Sequence, residues 1–132
     1  MARPQSGVAR ARRPDARVKV WLEADGQYVF GFGLSEILKA VQSAGSIKEA
    51  AGRLGKSYRY VWGRIKKAER ALGESLVQTR VGGKDASRSG LTELARGLVL
   101  DYDALRERVF EVVRKEFAHR FALPSLRRRG RR

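Results

Sequence analysis

Three glycines, Gly45, Gly55 and Gly73, divide one stretch of the chain into short segments, and serines stand close behind the first two of them, at Ser46 and Ser57. A serine side chain accepts a hydrogen bond from the free amides of a helix's first turn. A glycine just past a helix adopts the left-handed conformation that ends it. The pattern therefore predicts three short helices joined by tight turns, and this arrangement strongly restricts the possible folds.

The apolar spacing sets the bounds of these helices. Residues from Leu34 to about Ser43 repeat apolar side chains every three or four positions, which indicates the first helix. Ser46 and Glu49 form an S-x-x-E capping box that opens the second, Ile47–Leu54. Ser57 caps a third helix with a buried stripe of Val61, Ile65, Ala68 and Leu72. Two helices, a tight turn and a longer basic helix are typical of a helix-turn-helix.

The third helix is the predicted recognition helix, because cations occupy the side opposite its buried stripe. In the major groove such side chains reach base edges and phosphates. Ser57–Tyr60 is expected to insert deepest, Gly63 to permit close backbone approach, and Trp62 to pack at the edge of the core. We expect bases to be read or positioned by Arg59, Tyr60, Arg64 and Lys67, and phosphates to be held by Lys56, Lys66 and Arg70.

Two β-hairpins are predicted to flank the helices. Val18–Glu23 and Gln27–Phe30 are rich in strand formers and are joined by Asp-Gly, a strong hairpin signal. After the third helix, Leu76–Val81 is a strand candidate, and the polar loop Gly82–Gly90 follows before apolar character resumes. A strand, a basic glycine-rich loop and a second strand are typical of a wing that contacts the DNA backbone. The expected wing contacts are Lys84 and Arg88.

A long helix is predicted from Thr92–Glu93 to about residue 121. Its apolar positions alternate at spacings of four and three, as in a coiled-coil seam: Leu91, Ala95, Leu98, Tyr102, Leu105, Val109 and Val112. We interpret this stripe as a dimerisation surface, and the alternative is packing against the chain's own winged domain. The predicted dimer contacts are Leu98, Tyr102, Leu105, Val109 and Val112.

The charge balance points to a polyanionic partner. The 132 residues include 29 Lys+Arg and 14 Asp+Glu, for a net charge of +15. Residues 53–90 carry +7, whereas residues 1–17 and 119–132 carry +4 and +6. Nucleic acid is the first candidate partner and an acidic membrane surface the second. The two basic ends are either solvated tails or tethers to phosphates.

Several functional classes are disfavoured by composition. The chain has no cysteine and a single histidine, His119, so thiolate metal sites, a histidine-rich metal site and a cysteine nucleophile are excluded. No P-loop or other catalytic motif is visible, so we expect neither an enzyme nor a cofactor or metal. No apolar run is long enough to span a bilayer and no secretory signal is present. We therefore expect a cytoplasmic, nucleoid-associated protein.

The stretch from Val18 to about Tyr102 resembles the N-terminal DNA-binding domain of ModE-type molybdate-responsive transcription regulators. The resemblance covers about 85 of the 132 residues. Its helix-turn-helix part is also similar to LysR-type regulators, through Ala50-Ala51, Leu54, Ser57, Ile65, Leu72-Gly73 and Leu76. The ModE-type motifs are Trp21–Gly26, Phe30–Gly33, Gly45–Ala51, Leu54–Arg59, Trp62, Gly73–Val77, Arg80, Gly82–Lys84 and Leu91-Thr92.

This resemblance implies a winged helix-turn-helix that dimerises through flanking helices and binds a near-palindromic operator. The family also carries two molybdate-binding β-barrel domains after the DNA reader. Only a short Arg-rich segment follows Phe121 here, so we expect no such barrel and do not extend molybdate binding to this chain.

Together these features predict a mainly α fold with a small β component. The expected parts are a disordered basic arm (1–17), a winged helix-turn-helix (18–91), a dimerisation helix (92–121) and an Arg-rich tail (122–132). The predicted function is a homodimeric, sequence-specific regulator of transcription on double-stranded DNA. The alternatives are a sequence-tolerant architectural DNA-binding protein and an RNA-associated basic protein.

Overall fold

A computed structural model describes residues 12–82 and 86–121 of the chain. The elements follow in the order hairpin, three helices, hairpin and long helix, which confirms the predicted fold class. They are β1 (Trp21–Ala24), β2 (Gln27–Gly31), α1 (Phe32–Ala44), α2 (Ile47–Leu54), α3 (Tyr58–Leu72), β3 (Val77–Gly82), β4 (Ala86–Leu91) and α4 (Glu93–Arg120). Most of the predicted basic arm (residues 1–11) and the whole predicted tail (122–132) lie outside the described residues.

The helix boundaries follow the predicted caps. The Ser46 hydroxyl accepts a hydrogen bond from the Glu49 amide at 3.0 Å, and Ser57 accepts one from the Tyr60 amide at 3.0 Å. Gly55 (φ 69°) follows α2 in the left-handed conformation, and its amide bonds back to the last turn of that helix. These local interactions fix where α2 ends and α3 begins, and so fix the turn between them.

The first hairpin forms at the predicted Asp-Gly turn. β1 and β2 pair antiparallel, with Glu23 opposite Tyr28, and Asp25 and Gly26 both have positive φ. Two such residues in succession match the twist of a tight two-residue hairpin. The register is irregular between Leu22 and Glu23.

The second hairpin differs from its prediction. β4 begins at Ala86 and pairs antiparallel with β3. Gly82 lies opposite Ala86 at one end of the ladder, and Val77 lies opposite Leu91 at the other. Most of the predicted Gly82–Gly90 loop is therefore strand. Ser, Arg and Gly are weak strand formers, but the ladder to β3 supplies their backbone hydrogen bonds. The connection between the strands is residues 83–85, which the described residues do not include.

The core lies where the first hairpin and the four helices meet, with Leu76 and Leu91 added from the ends of the second hairpin. Its largest fully buried side chains include Phe30, Leu34, Leu38, Ile65 and Tyr102. α1 is joined to α4 by polar contacts as well, since buried Ser35 donates to Asp103 at 3.1 Å and Lys39 pairs with the same carboxylate at 2.8 Å. The hydrogen bond to Asp103 is the main reason that the pKa of Lys39 is raised.

Tyr102 corrects part of the predicted dimer seam. Its side chain is 2% exposed, its ring meets Phe30 edge-to-face at 5.3 Å, and its hydroxyl donates to the Val20 carbonyl at 2.8 Å. Burial raises the pKa of this phenol. Leu91 and Ala95 are buried too, so the first half of the seam packs within the chain. The prediction that Tyr102 contacts a partner is therefore wrong.

The described residues form two compact units, and α4 continues through both. The larger unit is Lys19–Glu107 and holds the elements from β1 through the first half of α4. In the other unit, Phe117 and Phe121 stack at 4.9 Å between ring centroids, and Glu111 forms ion pairs with Arg108 and Lys115. In the described part of the chain, no helix has the length and apolar character needed to cross a membrane.

Candidate nucleic-acid interface

The outward side of α3 is strongly basic. The helix contains five cations and a single acid, Glu69. Arg59, Lys67 and Arg70 are exposed on the side opposite the buried stripe of Val61, Ile65 and Ala68, whereas Arg64 and Lys66 are partly buried. The structure therefore brings Arg59, Lys67 and Arg70 onto one surface, with Arg64 and Lys66 at its edges.

Tyr60 lies between two cations at the start of α3. The Lys56 ammonium is 5.3 Å from its ring centroid, and the Arg64 guanidinium carbon is 5.8 Å away. Arg64 also donates to the Tyr60 hydroxyl at 2.9 Å, and its guanidinium lies 3.4 Å from where a Cβ on Gly33, at the start of α1, would stand. Tyr60 thus positions the Arg64 guanidinium. Tyr58 and Tyr60 are both about half exposed, so neither is a core residue.

Glu69 turns away from the basic surface and joins α3 to the wing. Its carboxylate accepts the amides of Leu76 and Val77 at 2.7 and 3.1 Å and pairs with Lys66 at 3.1 Å. Burial alone would raise the pKa of Glu69, but these two amides and the Lys66 ammonium outweigh it, and the pKa lies below its ordinary value. The single acid of α3 is thus held by hydrogen bonds where the helix meets the second hairpin.

Lys66 has less freedom than the prediction assumed. Besides its ion pair with Glu69, its ammonium lies 5.7 Å from the ring centroid of Trp62. Trp62 is 43% exposed and is not among the residues that pack against the core, so its expected place at the core edge stays a prediction. The proposed phosphate contact of Lys66 stays a prediction, and it would be made by a side chain that already has two neighbours.

The wing is attached to the turn before α2. The Ser89 amide donates to the Gly45 carbonyl at 2.8 Å, and the exposed Arg88 folds its guanidinium against the same glycine. Arg88 is therefore placed beside the helix-turn-helix. Lys84, the other predicted wing contact, lies outside the described residues.

The second half of the predicted dimer seam remains accessible. Leu105 and Val112 are 43% and 45% exposed, Val109 is partly buried, and Leu98 packs partly against the core. The most exposed of the large apolar side chains described is Leu100, at 70%, which stands off the seam.

Glu69 is the residue that sequence reasoning missed. The available signal was its isolation as the one acid among five cations, a few residues before a predicted strand. Within residues 12–82 and 86–121, no three His, Asp or Glu side chains come together in a way that could hold a metal ion. The five cations of α3 make the described site a cationic surface.

Comparison with known proteins agrees with this geometry. Residues 33–96 match the family model of the bacterial regulatory helix-turn-helix proteins of the lysR family. This segment resembles the winged helix-turn-helix of LysR- and ModE-type regulators. The chain is 30% identical to the transcriptional regulator ModE of Haemophilus influenzae over 83 residues, 61% of its length.

Two further similarities each cover 68% of the chain. The chain is 30% identical over 90 residues, 68% of its length, to the molybdenum transport protein ModE of Herbaspirillum seropedicae. The matches span 32% and 34% of the two ModE relatives, about a third of their length. A crystal structure of the CbnR_DBD–DNA complex shares the fold, with a TM-score of 0.53 and 21% identity over 68% of this chain and 98% of that chain.

Proposed function

We propose that this chain is a transcriptional regulator that binds a specific double-stranded DNA site as a homodimer. The observation that carries the proposal is the outward surface of α3, where the cations are displayed and the helix's one acid is held at the wing junction. The similarity to the transcriptional regulator ModE of Haemophilus influenzae and to the DNA complex of CbnR_DBD supports the same function.

In the proposed complex α3 lies in the major groove. Exposed Arg59, near the helix start, offers the planar fork of donors that pairs with a guanine edge. Arg64 is pre-oriented by Tyr60, so it loses less conformational freedom on binding. Lys56 and Arg70 stand toward opposite ends of the helix and are expected to hold phosphates on either side, with Arg88 and Lys84 adding wing contacts.

The proposed dimer is formed by α4. Leu105 and Val112 are exposed apolar side chains a heptad apart on one continuous helix, with Val109 between them. Burying such a stripe against a second copy removes apolar surface from water. A two-fold dimer would place its two α3 helices about 34 Å apart, or a multiple of this distance, and so would read a palindromic site.

The proposal is tested by selecting binding sites for the full chain from a random duplex pool. A specific regulator is expected to enrich one palindrome and to prefer it over shuffled duplex by roughly 10³-fold or more. The ratio is measured by fluorescence anisotropy at one fixed salt concentration, because the electrostatic part of binding depends on salt. Failure to enrich any motif would contradict sequence-specific regulation.

The overall charge favours a second candidate, an architectural protein that binds duplex DNA of any sequence. A net charge of +15 on 132 residues supports strong binding to the backbone alone. Such a protein is expected to bind selected and shuffled duplexes equally and to bend or compact long DNA. Tighter binding to structured RNA than to either duplex would instead favour an RNA-associated function.

A further inference from the structure

Gly63 lies at the centre of the outward side of α3. Residues three, four and seven positions apart share one face of a helix. Arg59 lies one turn before Gly63, Lys66 and Lys67 lie one turn after it, and Arg70 lies two turns after it. A position without a side chain is therefore surrounded by cations with long side chains.

Nothing within the described chain requires a glycine at this position. A Cβ atom built on Gly63 would meet no atom within 4 Å, and Gly63 is not among the glycines with positive φ. Gly45 and Gly33 differ, because Cβ atoms there would lie 2.7 and 3.4 Å from arginine nitrogens. Glycine in a helix interior is less stable than alanine, so the fold loses stability at position 63 and gains no contact in return.

We propose that Gly63 forms a notch that receives the C5-methyl edge of a thymine, an inference that rests on the DNA binding proposed above. Interior helix amides are already hydrogen-bonded to carbonyls one turn earlier, so bare backbone at Gly63 offers a phosphate no donor. It offers only an apolar Cα surface. Of the groups that line the major groove, the thymine methyl is the apolar one. Lys66 and Arg70 then reach the phosphates, while Arg59, Lys67 and the notch face the bases.

The test compares the wild type with Gly63→Ala on the selected duplex, on the same duplex with deoxyuridine replacing each thymine in turn, and on shuffled duplex. Deoxyuridine lacks only the methyl group. The wild type is expected to bind one deoxyuridine duplex several-fold more weakly. Gly63→Ala is expected to bind the thymine duplex about tenfold more weakly, a loss typical of one unsuitable base contact, and to recover on that deoxyuridine duplex.

Gly97→Ala is the matched control, because Gly97 is also a glycine inside a helix whose added Cβ would meet nothing within 4 Å, but it lies on α4. Both variants are expected to raise the melting temperature of the free protein by a few degrees. Only the change at Gly63 is expected to weaken binding, so a folding defect and an interface effect are separated.

Two results would overturn the notch. The first is a Gly63→Ala variant that binds the selected duplex as tightly as the wild type. The second is an equal loss on selected and shuffled duplex without recovery on deoxyuridine, which would place a phosphate near Gly63. If the wild type itself shows no preference for its selected duplex, the proposed function fails, and the inference fails with it.

Discussion

At the scale of single residues, the cations of α3 differ in whether they already contact other side chains of the protein. Arg64 donates to Tyr60 and Lys66 pairs with Glu69, whereas the guanidinium of Arg59 is exposed near the start of the helix. A side chain already held by the fold contributes positioning as well as charge. An exposed one is free to adopt the geometry that a base edge requires, and this difference makes Arg59 the better test of base reading.

We predict that Arg59→Ala lowers affinity for the selected site by about 1–3 kcal/mol while changing affinity for shuffled duplex much less. The reason is that a bidentate contact to a base discriminates between sequences, whereas a phosphate contact does not. Anisotropy titrations on both duplexes measure the change. Arg114→Ala, an exposed arginine on α4, removes the same charge as a control. Equal weakening on both duplexes would make Arg59 a phosphate contact.

Glu69 gives a prediction for stability against pH. Its pKa is lowered from the ordinary 4.5, so its contribution to the free energy of unfolding is complete above that pH and is lost as pH falls through the lower folded value. Glu69→Gln is expected to destabilise the domain at pH 7 by about 1–2 kcal/mol, since it replaces charge-assisted hydrogen bonds with neutral ones. It is also expected to flatten the loss of stability on acidification.

Urea unfolding between pH 7 and pH 3 checks this, with Glu74→Gln as the control because Glu74 is an exposed carboxylate five residues on. A Glu69→Gln variant whose acid sensitivity matches the wild type would show that the two amide contacts contribute nothing specific to charge. The same titration on the control reports the effect of removing one negative charge from this highly basic protein.

The sequence predicted residues whose roles are set by their neighbours in the chain. Ser46 and Ser57 cap helices because their hydroxyls need only reach an amide three residues ahead. Glu69 was missed because its partners, Leu76 and Val77, are brought near only when the chain turns after α3. Local spacing contains no information about such a turn.

At the scale of secondary-structure elements, α4 shows the limit of periodicity. The heptad spacing correctly predicts one apolar stripe, but it does not say what covers that stripe. Ala95 and Tyr102 are covered by the chain's own core, whereas Leu105 and Val112 are exposed. The wing shows the converse case, because β4 forms from residues with little strand preference once β3 is there to pair with it.

For the exposed half of α4 we predict that Leu105→Glu converts a dimer into monomers. A charge in a buried apolar interface has to be desolvated without a partner, which costs several kcal/mol. Sedimentation equilibrium over a range of protein concentrations measures the change in association. Leu100→Glu is the matched control, because Leu100 is more exposed but lies off the seam.

The two variants distinguish the surfaces of the helix. A dimer that survives Leu105→Glu but is broken by Leu100→Glu would move the interface to the other side of α4. A dimer that survives both substitutions would exclude these surfaces of α4 as the dimer interface. Circular dichroism of each variant confirms that the helix remains folded, since both positions are solvent-exposed in the single chain.

At the scale of the whole molecule, the distribution of charge determines how binding responds to salt. Each phosphate neutralised releases condensed counterions, so the logarithm of the binding constant falls linearly with the logarithm of salt concentration, by about 0.9 per contact. Five phosphate contacts are proposed for each protomer: Lys56, Lys66, Arg70, Lys84 and Arg88. A dimer that engages two half-sites is therefore expected to show a slope of about −9, and a single engaged domain about half that value.

Lys56→Gln tests this count, because it removes one exposed cation from each protomer at the edge of α3. If Lys56 holds a phosphate in both half-sites, the slope is expected to become shallower by about two while the preferred sequence stays unchanged. Lower affinity at every salt concentration with an unchanged slope would mean that Lys56 acts through Tyr60, whose ring lies 5.3 Å from its ammonium. A wild-type slope much steeper than −9 would require cations beyond the five proposed, and the excess charge at the two ends of the chain could supply them.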